Sequence, residues 1–159
     1  MQEQFIIRAL TPDDAADLST MLQAQSPDYV RFFYPFEFHL ASISNVLANQ
    51  RRDVLMGLYL ESKIVVFFML RGWNEGYDVP SFGIIVDENY RGYGLELISL
   101  DAAKVISRLR GAERMMLKMH PDNITAKGVA RKIGFVQTGS ESGGNLIYHL
   151  DLGKPVAKP

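Results

Sequence analysis

The run Ile64-Val65-Val66-Phe67-Phe68-Met69-Leu70 constrains the fold of this chain more than any other feature. It is rich in β-branched and aromatic residues, which reads as a strand, and it is far shorter than the roughly 20 apolar residues a membrane helix needs. Successive side chains of a strand point to opposite faces, so a strand apolar at every position is buried on both. The chain must supply enough covering material, and it can: 159 residues, 47% hydrophobic and 22% charged, suit a globular domain rather than a disordered one. We expect one domain over 1–152, with 153–159 as a tail. The formal net charge of −1 argues against a broad nucleic-acid surface. Cysteine is absent, which rules out disulfides, a zinc ribbon and a thiol nucleophile, and fits a cytoplasmic setting. Met1-Gln2-Glu3-Gln4 lacks the basic and apolar regions of a signal peptide, and with no apolar run longer than Ile64 to Leu70 no membrane partner is expected.

Around that run the punctuation gives an order. Phe5 to Ala9 predicts a strand. Thr11-Pro12-Asp13-Asp14 opens a helix, with a capping threonine, proline in the first turn and acids at the positive end of the dipole; Ser26-Pro27 ends it. Tyr29 to Phe38 is crowded with aromatics. Asp53 to Leu60 and Ile64 to Leu70 form a hairpin across Glu61-Ser62-Lys63. Ser81 to Val86 is a strand. A long helix runs to Arg108 with Leu95, Ile98, Ala102, Val105 and Leu109 as its buried stripe. Arg114 to Met119 is a strand, a shorter helix starts at Pro121-Asp122-Asn123 and ends before Gly134, and Phe135 to Thr138 with Leu146 to Leu152 close the chain as a hairpin. The pattern is α/β (mixed α+β): a central mixed sheet with helices on its faces.

Chemistry concentrates in Ile84-Ile85-Val86, a short acidic loop, Arg91-Gly92-Tyr93-Gly94-Leu95, and the helix that follows. Glycines at a strand-to-helix junction let backbone N–H groups approach an anion, and the helix N-terminus adds unpaired donors and partial positive charge. This describes a phosphate cradle. It is not a P-loop, since no Gly-Lys-Ser/Thr follows, nor a dinucleotide fingerprint, since Leu97 stands where a third glycine belongs. Asn123, Lys127 and Arg131 recur at four-residue spacing and share one helix face, a second place for phosphates.

Together these segments resemble the GNAT superfamily of N-acetyltransferases. The family's acyl-CoA motif, Gln/Arg-x-x-Gly-x-Gly/Ala, reads here Arg91-Gly92-Tyr93-Gly94-Leu95-Glu96; its later motif reads Asn123, Ala126, Ala130 and Gly134-Phe135. The resemblance implies a sheet of about six to seven strands flanked by about four helices, with the fourth and fifth strands splayed. It implies acetyl-CoA as acyl donor, with the amides of Arg91 to Glu96 on the pyrophosphate. Ile84, Ile85 and Val86 would pair with the pantetheine beside a bulge in the fourth strand, whose amide would stabilise the oxyanion. Asn123 would hold the pantetheine arm, Lys127 and Arg131 the 3′-phosphate, and Met119 would mark the splay. Two positions depart from the pattern. Glu96 replaces a small residue, and Ala130 replaces the tyrosine that often protonates the leaving thiolate.

For the base that takes a proton from the attacking amine, Asp78 near the start of the fourth strand is the first choice, with Glu75 its neighbour, and His120 the second. Phe32, Phe33 and Tyr34 fall where the family binds its acceptor. Tyr34, Tyr90, Tyr93 and Tyr148 are substitute acids. No pair of histidines has metal-ligand spacing, so no metal is expected. The expected function is transfer of an acetyl group to a primary amine of a small molecule, an amino sugar being one candidate, by direct attack in a ternary complex. A protein N-acetyltransferase and a non-catalytic acyl-CoA-binding module are the alternatives. The oligomeric state does not follow from the sequence; a homodimer is one assembly it allows.

Overall fold

The computed structural model describes residues 4–154, so most of the expected tail, from 155 on, and the first three residues lie outside the described residues. Its strands are β1 (Phe5–Ala9), β2 (Val54–Leu60), β3 (Lys63–Arg71), β4 (Ser81–Val86), β5 (Arg114–Met119), β6 (Val136–Ser140) and β7 (Leu146–Asp151). Its helices are α1 (Ala15–Gln23), α2 (Pro27–Val30), α3 (Leu40–Ala48), α4 (Leu95–Leu109) and α5 (Ile124–Ile133). All strands join one seven-stranded sheet in the order β1-β2-β3-β4-β5-β7-β6. β4 and β5 are parallel, and the other neighbours antiparallel.

The apolar run is the middle of β3, buried from Ile64 to Leu70. Val66, Phe68 and Leu70 pack into one core, with Leu95, Leu100 and Ala103 of α4 and Ala130 of α5. Ile64, Phe67 and Met69 face the opposite core, with Leu18 and Leu22 of α1 and Ile43 and Leu47 of α3. Each such side chain contributes roughly 1.5–3 kcal/mol by leaving water. Val65 interrupts the alternation. Leu58 pairs with Val66 and Tyr59 with Ile64, so Val65 is an extra residue and enters the same core as Val66.

The first helix starts as a turn of 3-10 helix at Pro12–Asp14, where the Asp14 carboxylate accepts from the Thr11 amide at 2.8 Å. Arg8 of β1 donates two hydrogen bonds to the same carboxylate, at 2.9 and 2.7 Å. The Tyr59 hydroxyl donates to it at 3.2 Å. Ser26-Pro27 does more than end α1, since Ser26 is the N-cap of α2 with proline in its first turn. The aromatic stretch after it is mostly irregular rather than helical: one turn of helix to Val30, then a loop into α3. Its phenylalanines pack on one another, with Phe33 and Phe36 against the ring of Phe67.

Two local readings are corrected. The β2–β3 hairpin closes with Glu61 and Ser62 alone, because Lys63 already pairs with Leu60. Both turn residues have positive φ, 47° and 69°, as a two-residue type I′ turn requires. In α4 the buried stripe is Leu95, Ser99, Ala103 and Ser107 with Leu100, while Val105 and Leu109 are 56% and 74% exposed and Ile98 is exposed too. The serine hydroxyls satisfy themselves by donating to the carbonyls of Leu95 and Ala103, each at 2.8 Å. The buried face thus mixes two leucines with three small side chains, Ser99, Ala103 and Ser107, which a hydrophobicity pattern alone does not select.

Candidate active site

β4 and β5 are joined by a single pair, Ser81 with Met116, where the Met116 amide donates to the Pro80 carbonyl at 2.9 Å. Beyond it the strands diverge and a cleft opens. The β3–β4 register runs without a break from Arg71–Ser81 to Val66–Val86, so β4 carries no bulge; the irregularity expected there belongs to β3 at Val65, one strand away. What frees the β4 amides is the splay. Antiparallel strands exchange hydrogen bonds through alternate residues. The Asp87 amide donates to Val65 and the Pro80 carbonyl accepts from β5. That phase turns the amide groups of Phe82, Ile84 and Val86 toward the cleft and those of Ile85 toward β3. Ile85 is part of the cavity wall, while its backbone pairs with β3 and its side chain is buried in the core of α1 and α3.

The cleft is a cavity of about 850 Å³. Its apolar walls include Phe82, Ile84, Leu117 and Met119 on the strands and Ala126, Val129, Ala130 and Ile133 on α5; Arg91, Gly92 and Glu96 line its polar end. Gly92 and Gly94 have φ of 86° and 81°, and a Cβ on either would meet open space. Their restriction is therefore conformational, and the α4 N-terminus is left accessible to an anion. Tyr93 is 77% exposed and Leu95 is buried in the core, so neither side chain lines the cleft. Asn123 lines the cleft while its Oδ1 caps α5 by accepting from the Ala126 amide at 3.2 Å.

Lys127 and Arg131 lie beside the cleft rather than in its wall. The face of α5 that lines the cleft is the apolar one, and neither cation is among the lining residues. One residue further along an α-helix is about 100° further around it, which carries both away from the wall. Glu96, in contrast, is half-buried and faces the cavity. Arg91 lies over the ring of Tyr29 at 4.9 Å and donates to the Glu88 carbonyl at 3.2 Å. Tyr29 had no assigned role in the sequence beyond its aromatic segment. Its hydroxyl donates to the Val86 carbonyl, and burial, against the nearby Arg91 charge, pushes its pKa up.

A second cavity, of about 950 Å³, lies across the Ser81–Met116 junction. It is lined by Phe32, Phe33 and Tyr34, by Arg71 at the end of β3, by Glu75, Tyr77 and Asp78 of the β3–β4 loop, and by Lys118, Glu141 and Asn145. Lys118 pairs with Glu141 at 3.1 Å. Glu141 also accepts from the Asn145 amide at 3.0 Å, and that bond first and Lys118 second hold its carboxyl below the usual range. The two cavities share Phe32, Phe33 and Lys118 in their walls. Asp78 is in the second cavity. His120 is in neither: its ring stacks on Phe32 at 5.0 Å and its Nδ1 accepts from the Asp122 amide at 3.1 Å, a helix lead-in rather than a wall. Arg71 and Glu141 are members that sequence reading missed. They come from a strand end and a hairpin turn, and only the sheet order brings them together.

Among the substitute acids, Tyr34 lines the second cavity, Tyr90 packs against the core beside α4, and Tyr148 is fully buried with its hydroxyl unpaired among the described residues. The residues of the first cavity fit an acyl-CoA: a free strand edge for its amides, an apolar channel for its arm, and a helix N-terminus for its phosphates. Among the described residues no helix is long and apolar enough to cross a membrane.

The same fold occurs in solved proteins. PaiA N-acetyltransferase from Thermoplasma acidophilum, in complex with coenzyme A, superposes with a TM-score of 0.77 at 14% identity, over 93% of this chain and 99% of that one. The GNAT domain of S. lividans PAT gives 0.79 at 17% identity, over 94% and 96%. The ribosomal-protein-S18-alanine N-acetyltransferase from Escherichia coli gives 0.71 at 18%, over 94% and 95%. At these identities the likeness is one of fold. No curated protein matches by sequence. The family model "Acetyltransferase (GNAT) domain" matches residues 4–136, which span the splay, the glycine loop and the whole of α5. The chain belongs to the GNAT family of acetyltransferases, which move an acyl group from an acyl-CoA to an amine.

Proposed function

We propose that this enzyme transfers the acetyl group of acetyl-CoA to a primary amine of a small molecule, by direct attack in a ternary complex. The observation that carries the reading is the shared wall of Phe32, Phe33 and Lys118 between the two cavities. Donor and acceptor occupy separate spaces and meet there. Holding two reactants in one geometry can supply about 7–11 kcal/mol of a barrier. No cysteine is available to carry the acyl group. The enclosing aromatic segment, Phe32 to Pro35, favours a small acceptor over an extended peptide.

The roles divide between the cavities. The amides of Ile84 and Val86 orient the donor's arm, and those after Gly92 take its pyrophosphate. Asp78, in the acceptor cavity, takes the proton from the amine, directly or through a water, an effect of about 10²–10⁴-fold. Ala130 leaves the thiolate without a tyrosine. A thiol pKa near 8.5 makes it a fair leaving group unaided.

Release of CoA thiol with a panel of primary amines tests the activity. Intersecting initial-rate plots are expected, and parallel ones would overturn direct transfer. Asp78→Asn should slow the reaction most at pH values where the free amine is protonated. An unchanged pH profile would remove Asp78 from the role.

A further inference from the structure

Alone among the chain's arginines, Arg71 is not exposed. It sits at the end of β3 in the wall of the acceptor cavity. Among the described residues no carboxylate lies within ion-pair distance of it. Its guanidinium lies 6.0 Å from the ring centre of Phe36. Arg71 is half-buried and its guanidinium has no anion beside it among the described residues, while its planar fork matches a carboxylate or phosphate in two parallel hydrogen bonds.

The sheet fixes where that cation stands relative to the place of reaction. Arg71 pairs with Ser81 and Ser81 with Met116, so the three side chains rise from one face in a row. Lys118, two residues further along β5, shares the face and reaches the wall common to both cavities. Two strand spacings separate Arg71 from Met116, about 10 Å between backbones, and side chains shorten the gap. A molecule of modest size spans it. Lys118 is already paired with Glu141, which among the described residues leaves Arg71 as the cation of this cavity without a carboxylate partner, and Glu75 and Asp78 as the carboxylates that attract an ammonium.

We infer that the acceptor carries, besides its amine, an anionic group, a carboxylate or phosphate, that seats on Arg71 while the amine is turned toward the wall shared with the donor cavity. The exposed rings of Tyr34 and Tyr77 flank the carbon frame between the two charges. The inference rests on the acetyl-transfer reading and narrows its substrate class.

Matched probes test it: tyrosine against tyramine for a carboxylate, and glucosamine 6-phosphate against glucosamine for a phosphate. In the wild type, at least one anionic probe should exceed its neutral partner by about tenfold or more in kcat/KM, the range for a charge-assisted pair. In Arg71→Met that ratio should fall to near one, with Arg71→Lys between. Calorimetric binding of the same probes to the CoA-loaded protein gives the ratio without turnover. Absence of turnover with preserved Arg71-dependent binding would count against acetyl transfer and leave the anion site standing. Ratios near one in the wild type for both pairs, or a ratio that survives in a folded Arg71→Met protein, would overturn the inference.

Discussion

The hydroxyl of Tyr29 donates to the main-chain carbonyl of Val86 at 2.5 Å, a bond between residues 57 apart in sequence that ties α2 to the free edge of β4. This carbonyl faces the cleft, where an amide of the donor's arm would otherwise find it. Tyr29→Phe keeps the ring under Arg91 and removes only the hydroxyl. We expect a loss of about 1 kcal/mol of folding stability and a severalfold tighter complex with acetyl-CoA, because the carbonyl no longer has an internal partner to exchange. Denaturant titration and calorimetry on the same variant measure the two effects.

Glu96 stands in the first turn of α4, half-buried, facing the cavity end proposed above for the donor's phosphates. A carboxylate suits the helix dipole while the site is empty and repels a phosphate once it is filled. Glu96→Gln should lower the Kd for acetyl-CoA by about three- to tenfold at low salt. The gain should shrink at about 1 M salt, where the screening length falls to about 3 Å. A gain independent of salt would show that shape, not charge, is responsible.

The Arg8–Asp14 pair makes stability depend on acid. The Arg8 guanidinium, and then the Thr11 amide, hold the Asp14 carboxyl far below the usual carboxylate range, against the opposing effect of burial. A group depressed in the folded state stabilises fully above its unfolded value, about 3.9, and loses that contribution as pH falls through the folded value. Burial and the neighbouring Asp14 push Tyr59 up to about 12, so it remains a donor throughout. Asp14→Asn should cost about 1–3 kcal/mol at pH 7. Below about pH 4 the wild type should lose its advantage, so urea midpoints of the two proteins should converge as the solution is acidified.

The turn at Glu61-Ser62 holds two ordinary residues in the left-handed region, which costs roughly 1–2 kcal/mol for each. The Glu61 carboxylate compensates in part by accepting from the Gln4 amide at 2.8 Å, while Ser62 is exposed and its hydroxyl has no hydrogen bond among the described residues. Ser62→Gly should stabilise the hairpin by about 0.5–1 kcal/mol net of the added freedom of the unfolded chain. Thermal unfolding should show a midpoint a few degrees higher, with activity retained.

The elements that local chemistry specifies were legible in the sequence. β1, β4 and β5 fall on their expected bounds, and Asn123 and Gly134 cap α5 at the two ends where they were read. The glycine loop followed from a motif whose parts are contiguous, and the splay was expected from the family resemblance alone. Failures came where the answer depended on a neighbour. The inward face of α4 includes Ser99 and Ser107, and serines that bond to their own backbone hide from a hydrophobicity pattern. Lys127 and Arg131 share a face with Asn123, yet of these three it is Asn123 that lines the cleft. Arg71, Lys118 and Glu141 come together only through the strand order, which no local signal encodes.

Seven strands make one sheet, yet a single residue pair carries it across from β4 to β5. The two parts of the sheet meet in hydrogen bonds at that one pair and are otherwise held by the core beneath α4. An extended chain lying along the open seam and bonding to Ile84 and Val86 would serve as an eighth strand in all but covalent linkage. The acyl donor is then part of the architecture as well as a reactant. Each turnover, by consuming one such splint and releasing another, should briefly loosen and re-brace the joint on which both cavities depend.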